Sequence, residues 1–424
     1  MMNNIPNSIK SVSPKRLPEY MTAQQQKALD KLEKFDAETP DIHMEQYREK
    51  YRHTPVEKFF TEDDTVGKTS HGTENEHPNF SEIDAVKIFM INGVYAGRDQ
   101  IVSDDGYIYG SLATAAFAMP EIVQKYYNQI SDESDKIALT NTAFAHNGLF
   151  VTMESGTIPR KPLLIIDITD TDITEQERNL FVFAKACIAN VIIYTTSSTD
   201  VATFTNNLSE IAVEQDAQVN IVRIHNRDSL SRHFASDCCR QYAGSSLELT
   251  NIIVNGGLAR QNTEVHLSEK RCNSNLYGLV TAAGSQHIDN YTFIDHAAPE
   301  CQSNELYKYI LNDKALNIFN GRILVRPDAQ KTLAFQSNKN ILLSAEAKIH
   351  TKPQLEIYAD DVKCSHGTTT GQLNEEALFY MQARGINKKT AEIMIMTGFA
   401  NEILKKINNP QLEDYIRTEI LKKF

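Results

Sequence analysis

The chain has no tryptophan, and its six cysteines include no C-x-x-C pair, so the usual spacings of structural zinc and of thioredoxin chemistry are missing. There is no G-x-x-x-x-G-K-S/T segment. The nearest approach, Gly367-Thr368-Thr369-Thr370-Gly371-Gln372, lacks the lysine, so the chain is not expected to hydrolyse ATP itself. H-E-x-x-H, G-x-S-x-G and G-x-G-x-x-G are also absent, which argues against the commonest sequence-readable enzyme classes. Apolar runs such as Leu163–Ile166 and Val191–Tyr194 are far too short to cross a bilayer. The stretch Met1–Tyr20 has no apolar signal-peptide region, so a cytoplasmic location is expected. Positive charge is in deficit: 43 Lys+Arg against 55 Asp+Glu give a net charge of −12, so neither nucleic acid nor an anionic membrane is an expected partner. In a reducing compartment Cys187 and Cys272 read as small buried apolar residues.

The 424 residues allow a large core and two or three structural units. Residues 1–85 read as helical and polar. Thr22 is placed to cap a helix over Gln24–Phe35, with Ala28, Leu29, Leu32 and Phe35 on one stripe, and Lys68–His77 reads as a linker. From about Val86 to Lys363 short β-prone runs recur between Asn, Asp and Gly turns, among them Val86–Ile91, Leu163–Ile168, Gln218–Ile224, Leu247–Val254, Leu276–Thr281 and Ile318–Val325. Gly256, Gly257 and Gly321 are expected at tight corners. Only Ala113–Gln129 and Cys301–Leu311 read as helices within this span. A doubly wound α/β fold would need many more, while a sandwich and a stacked solenoid both remain open on pattern alone. From Asn374 the chain reads as helical again. Asn374 and Asn387 are candidate N-caps, Gly385 a stop and Gly398 an end or a kink. Asn409-Pro410 would start a last helix with Leu412, Ile416 and Ile420 on one face. The expected units are therefore 1–85, 86–366 and 367–424.

The richest stretch is Thr351–Ile386, TKPQLEIYADDVKCSHGTTTGQLNEEALFYMQARGI. Cys364 and His366 are two positions apart, which in a strand puts a thiol and an imidazole on one face, a donor pair suited to iron, an iron–sulfur species or zinc. LEIYADDVKCSHG, the Gly371-Gln372-Leu373 element with EEALFY, and RGI closely resemble the SufD pattern of the SufB/SufD family, whose members serve iron–sulfur cluster assembly in the SufBCD machinery. NTAFAHNGLFV (Asn141–Val151), GGLARQNTEVHL (Gly256–Leu267), HIDNYTFIDHAAPEC-x-S (His287–Ser303) and NIFNGRILVRPDAQKTLAFQSNKNILLS (Asn317–Ser344) are similar to it as well. EKYRHTP (Glu49–Pro55) matches an N-terminal element that usually carries a Trp, with Tyr51 here.

The resemblance implies a mainly β chain: a right-handed parallel β-helix flanked by N- and C-terminal helical regions. It further implies a non-catalytic scaffold that pairs with a SufB-like subunit and binds a SufC-like ABC-type ATPase, which does the hydrolysis. His366 would lie near the SufB–SufD interface and help build the nascent cluster, with Cys364 as its weaker companion. Iron or a cluster would be held there transiently, with no cofactor bound tightly by this subunit alone. The C-terminal helices would dock the ATPase. Phe379, Tyr380 and Met381 are consecutive and cannot all face one core. Arg384, Gly385, Ile386 and Phe399 complete the docking candidates. An open solenoid end also makes a homodimer of the isolated chain plausible.

Other polar groups have plainer readings. His287, Asp289, His296 and Cys301 resemble a metal constellation on paper, but their spacing matches no known ligand motif, and hydrogen-bonded turns are the simpler expectation. Inward Asn, Thr and Ser are expected to stack in ladders between coils. Two rivals to the scaffold remain. A SufB-like chain would itself hold a reconstituted cluster. A β-solenoid carbohydrate-active enzyme would need paired carboxylates on one coil face, with Asp289, Asp295 and Glu300 available.

Overall fold

The computed structural model describes residues 17–38, 41–59, 80–131, 135–170, 174–198 and 202–424. The linker expected at Lys68–His77 lies outside these residues. Two N-terminal helices come first, α1 (Glu19–Glu38) and α2 (Asp41–Lys50). A small antiparallel region follows: β1 (Val86–Ile91), β2 (Val94–Tyr95), β3 (Val102–Asp104) and β4 (Tyr107–Ser111). Three short helices, α3 (Leu112–Ala118), α4 (Pro120–Tyr126) and α5 (Lys136–Phe144), lead to β5 (Leu149–Met153). The long run is β6 (Leu163–Thr169), β7 (Thr174–Phe183), β8 (Ile188–Ser197), β9 (Phe204–Val213), β10 (Gln218–Asn226), β11 (Arg232–Gln241), β12 (Ser246–Asn255) and β13 (Leu258–Leu267). It continues with β14 (Asn273–Ala282), β15 (His287–His296), β16 (Gln302–Leu311), β17 (Leu316–Val325), β18 (Thr332–Leu342), β19 (Lys348–Ile357) and β20 (Val362–Gly371). Three helices close the chain: α6 (Glu375–Ala383), α7 (Lys388–Leu404) and α8 (Pro410–Leu421).

The strands form two ten-stranded sheets, and from β5 onward successive strands alternate between them. One sheet runs β2-β1-β6-β8-β10-β12-β14-β16-β18-β20. The other runs β3-β4-β5-β7-β9-β11-β13-β15-β17-β19. Beyond β5 every neighbour pairs in parallel, giving a solenoid of about seven turns. This is the parallel β-helix that the resemblance implied, and it settles the choice that pattern alone left open. One column of stacked residues runs Ile221, Leu249, Leu276, Glu305, Gln336, His366, turning from apolar to polar towards the C-terminal end.

The coils turn a shared corner. Ala186, Asp216, Gly244, Arg271, Glu300 and Lys331 each take a positive φ, and the residue after each is small and buried: Cys187, Ala217, Ser245, Cys272, Cys301 and Thr332. A left-handed residue redirects the chain in one step, and a small side chain then fits the inside of the bend.

Three layers of apolar packing hold the solenoid. Its interior is filled by Ile165, Val191, Ile221, Leu249, Leu276 and Phe319 among others. The outer face of the first sheet, with Leu164, Ile192, Val222, Ile252 and Leu279, is covered by Ala400, Ile403, Leu412, Ile416 and Ile420 of the last two helices. The outer face of the second sheet is covered near its start by Leu112, Val123 and Tyr127, which lie on Phe150, Leu180 and Val182. Each fully buried Leu, Ile or Phe contributes about 1.5–3 kcal/mol relative to exposure.

Several local expectations need correction. The helix expected over Cys301–Leu311 is instead a corner residue, Cys301, followed by strand β16 (Gln302–Leu311). Tyr307, Tyr309 and Leu311 face the interior while Leu306 and Ile310 face the C-terminal helices, so both faces are buried and the alternation is masked. Helix α1 begins at Glu19, and Thr22 lies inside its first turn with its hydroxyl donating to the Glu19 carbonyl at 2.9 Å. The helix expected over Ala113–Gln129 breaks at Pro120 into α3 and α4. Gly321 sits mid-strand in β17, where a Cβ would strike the Gln336 side chain, and α7 runs straight through Gly398. The last strand continues to Gly371, past the boundary set at 366.

Candidate functional site

The solenoid ends in a coil whose two strands, among the described residues, are each paired on one side only: β19 with β17, and β20 with β18. The residues of β20 are exposed from Ser365 to Gly371. Cys364 stacks on Ala334 and His366 on Gln336. Cys364 is half-buried against the interior core, and burial pushes its thiol above the usual range. His366 is exposed. The two residues share one face of the strand, as their spacing requires. Farther along that face Thr368 Oγ1 donates to Asn338 Oδ1 at 3.1 Å and Asn340 Nδ2 donates to Thr370 Oγ1 at 3.0 Å, a ladder of the expected kind.

The two free edges differ. β19 carries Lys348, Lys352 and Pro353, residues that blunt an edge by charge or by lacking an N–H. β20 has one lysine, Lys363, and no proline. Its backbone is the better template for another strand.

Helix α6 follows directly. Asn374 caps it by accepting from the Ala377 amide at 2.9 Å, and Glu375 and Glu376 meet its positive end. It ends at Gly385, whose φ of +85° lets the Ile386 amide turn back to the Met381 carbonyl at 3.2 Å. No residue of α6 is buried. Phe379 is 74% and Tyr380 61% exposed, and the Arg384 guanidinium lies 5.0 Å from the Tyr380 ring centre. Phe399 behaves differently. It packs against the sheet-facing core, its ring 4.6 Å from the Lys308 ammonium, which also donates to the Phe399 carbonyl at 2.8 Å and pairs with Glu402 at 2.6 Å. Phe399 therefore anchors α7 to the solenoid, whereas Phe379 and Tyr380 face outward.

The four residues with a metal-like look do not converge. His287 and Asp289 lie on the outer face of β15, and His296 lies on the inner face. His287 Nε2 is 2.9 Å from Thr54 Oγ1, Asp289 is paired with Arg260, and His296 Nε2 is 2.8 Å from Ser303 Oγ. Burial holds both histidines down to about 4. Among the described residues no group of three or more His, Cys, Asp or Glu is arranged to hold a metal ion. Asp295 is likewise neutralised by Arg326, at 2.7 Å, so Asp289 and Asp295 do not form a free carboxylate pair.

Sequence reasoning missed the ion pairs inside and on the solenoid. Arg178 meets Glu210 at 2.8 Å and Arg227 meets Asp167 at 2.9 Å, all four side chains almost fully buried. Arg223–Asp237 and Arg260–Asp289 are further buried pairs. Lys50 bridges Asp135 and Glu264, each at 2.8 Å, and the Tyr51 hydroxyl donates to Asp135 at 2.7 Å, which ties the EKYRHTP element to the second sheet.

The described chain is thus a two-sheet parallel solenoid with helices on its outer faces and an open terminal coil. Two family models match the chain. One described as "SUF system FeS cluster assembly, SufBD core domain" matches residues 166–399, and one described as "SufBD protein N-terminal region" matches residues 7–165. The chain is 28% identical over 343 residues to the iron-sulfur cluster assembly protein SufD of Escherichia coli, covering 80% of this chain and 79% of that one. It is 33% identical over 344 residues to an iron-sulfur cluster assembly SufBD family protein of Synechocystis, covering 78% and 76%. It is 32% identical over 218 residues to protein ABCI7, chloroplastic, of Arabidopsis thaliana, covering 51% and 46%. The chain belongs to the SufBD family of iron–sulfur cluster assembly proteins and is SufD-like. No helix among the described residues is long and apolar enough to cross a membrane.

Proposed function

We propose that this chain is a non-catalytic scaffold subunit of an iron–sulfur assembly complex. It pairs with a SufB-like subunit along β20 and docks a SufC-like ABC-type ATPase on α6. Iron or a nascent cluster is the cargo of the paired edge, met there by His366 and, secondarily, by Cys364. The observation that carries this reading is the edge of β20, unpaired among the described residues, which brings an exposed imidazole and a half-buried thiol to a strand end. Adding a partner strand would satisfy the open backbone groups and place a second chain's side chains beside His366. Both candidate ligands must be deprotonated to bind metal, so loading should weaken in acid. The exposed aromatic pair on α6 favours a separate partner at that helix, because a helix with no buried residue gains little from the solenoid alone.

Co-expression with SufB-like and SufC-like proteins, followed by size exclusion with light scattering, tests the assembly. One species containing all three chains is expected, and a chain that elutes with neither partner overturns the proposal. In the assembled complex His366→Ala should lower iron and sulfide content without unfolding the chain. Unchanged content would remove the role given to His366.

A further inference from the structure

The corner column places two sulfurs on consecutive coils. Cys272 and Cys301 follow the left-handed residues Arg271 and Glu300. Backbone bonds clamp the two corners together: the Gln302 amide donates to the Cys272 carbonyl at 2.9 Å, and the Arg271 amide to the Pro299 carbonyl at 3.3 Å. Both thiols then converge on one oxygen. Cys272 Sγ donates to the Glu269 carbonyl at 3.0 Å, and Cys301 Sγ donates to the same carbonyl at 3.2 Å. Each side chain is buried and neither sulfur is in a disulfide.

We propose that Cys272 and Cys301 are an oxidisable dithiol, closed to a coil-to-coil disulfide by a low-molecular-weight disulfide oxidant such as oxidised glutathione. The remaining four cysteines have no such neighbour. Cys238 and Cys239 are consecutive on β11 and point to opposite faces, one into the interior and one towards the short helices. Cys187 lies at the same corner but is separated from Cys272 by Ala217 and Ser245, and Cys364 lies on the terminal strand. Within the pair, the hydrogen bond from Cys272 holds the Cys301 thiol below its usual range, while the Cys272 thiol is held above. Both thiols are buried, so a local opening of the corner must admit the oxidant, and Cys301, the thiol held lower, then attacks as the thiolate. It displaces one thiolate from the oxidant to give a mixed disulfide. Cys272, losing its proton to solvent, attacks the Cys301 sulfur and expels the second thiolate. Two protein thiols are oxidised and one external disulfide is reduced to two thiols.

Neighbouring strands stack about 4.8 Å apart, while a relaxed disulfide wants Cβ atoms about 3.8 Å apart, so the corner must tighten by about 1 Å. Such a bond is strained and easily reduced, the character of a reversible link rather than a permanent one. The two linked coils also seat α7, through Leu279 on β14 and Leu306 and Ile310 on β16.

The test treats the full native chain with oxidised glutathione, blocks free thiols after unfolding, and maps the peptides by mass spectrometry. The expected result is four free thiols out of six, a Cys272–Cys301 linked peptide, and full recovery of six with dithiothreitol. Cys272→Ser and Cys301→Ser should each abolish the link. Six free thiols after treatment would overturn the proposal, as would a stable glutathione adduct with no internal link, or pairing of Cys364 between two chains. The wild-type experiment stands even where a variant fails to fold.

Discussion

Replacing Arg178 by methionine offers a direct measure of what the buried charges contribute. The Arg178 side chain is 1% and the Glu210 side chain 0% exposed, and they meet at 2.8 Å. The guanidinium also donates to Thr142 Oγ1 at 3.0 Å, Ser131 Oγ at 2.9 Å and Asn128 Oδ1 at 3.2 Å. Glu210 in turn accepts from the amides of Asn128 at 2.6 Å, Ile130 at 2.8 Å and Ser131 at 3.1 Å. The pair therefore fastens the loop after α4 to the second sheet. Removing one member of a buried pair costs about 3–5 kcal/mol, because the other charge is left in a medium of low polarity. Methionine fills much of the arginine stem, and three amides still solvate Glu210, so the lower end, about 3 kcal/mol, is expected. With no tryptophan in the chain, urea unfolding is followed by tyrosine fluorescence and circular dichroism. Arg178→Lys keeps the charge but cannot reach all four acceptors, and it should fall between wild type and Arg178→Met. A loss under about 0.5 kcal/mol for Arg178→Met would refute the reasoning, since that is the scale of an ordinary surface change. Equal losses for both variants would assign the effect to shape and not to charge.

Further outcomes follow from other parts of the molecule. Phe379→Ala and Tyr380→Ala should each leave the melting curve unchanged and weaken the SufC-like partner more than the SufB-like one in pull-downs, whereas equal loss of both would point to misfolding. Gly257→Ala should be strongly destabilising, because its Cβ would strike the Ser229 carbonyl, while Gly284→Ala meets nothing within 4 Å and pays only for its φ of +61°; similar melting points for the two would contradict the close approach. His296 is held down to about 4 by burial, so the folded state keeps it neutral where the unfolded chain, near 6.5, takes up a proton. That depressed value makes stability fall as pH drops from about 6.5 towards 4, by up to about 1.4 kcal/mol per unit from this residue. His296→Gln should flatten the pH dependence by that amount across the same window, and an unchanged slope in denaturant titrations would show that His296 is not protonated on unfolding.

Legibility in the sequence followed the distance over which each structural decision is made. The helix caps Asn374, Asn387 and Asn409 are settled within three residues, and each accepts the amide bond expected of it. Cys364 and His366 share a face for the same local reason. The strands with polar interiors escaped notice. RHFASDCCRQ (β11) and HIDNYTFIDH (β15) bury almost every residue, yet they read as polar because their charges are matched by other coils. Glu210 lies 32 residues from Arg178, Asp167 lies 60 from Arg227, and Asp289 lies 29 from Arg260. No local pattern can reveal such partners.

A fixed repeat would have exposed them, but the coils are unequal. Gln218 stacks on Ser246, Ser246 on Asn273 and Asn273 on Gln302, with steps that differ, and the register slips between His225 and Asn226. The corners carry the signal that strand composition hides. Asp216, Gly244, Arg271, Glu300 and Lys331 share a backbone conformation and not a residue type, and what repeats is the small residue that follows: Ala, Ser, Cys, Cys, Thr. The inside of a bend limits volume without dictating polarity, so the column accepts any compact side chain. Aligning the chain on those small residues brings Glu305 and Gln336 into one column, which the strand pairing extends to His366. The polarity that begins inside the solenoid thus runs continuously to the open strand, where the imidazole meets solvent. His366 is the exposed end of a buried polar stack, and a partner strand laid on β20 would extend that stack rather than create a new surface.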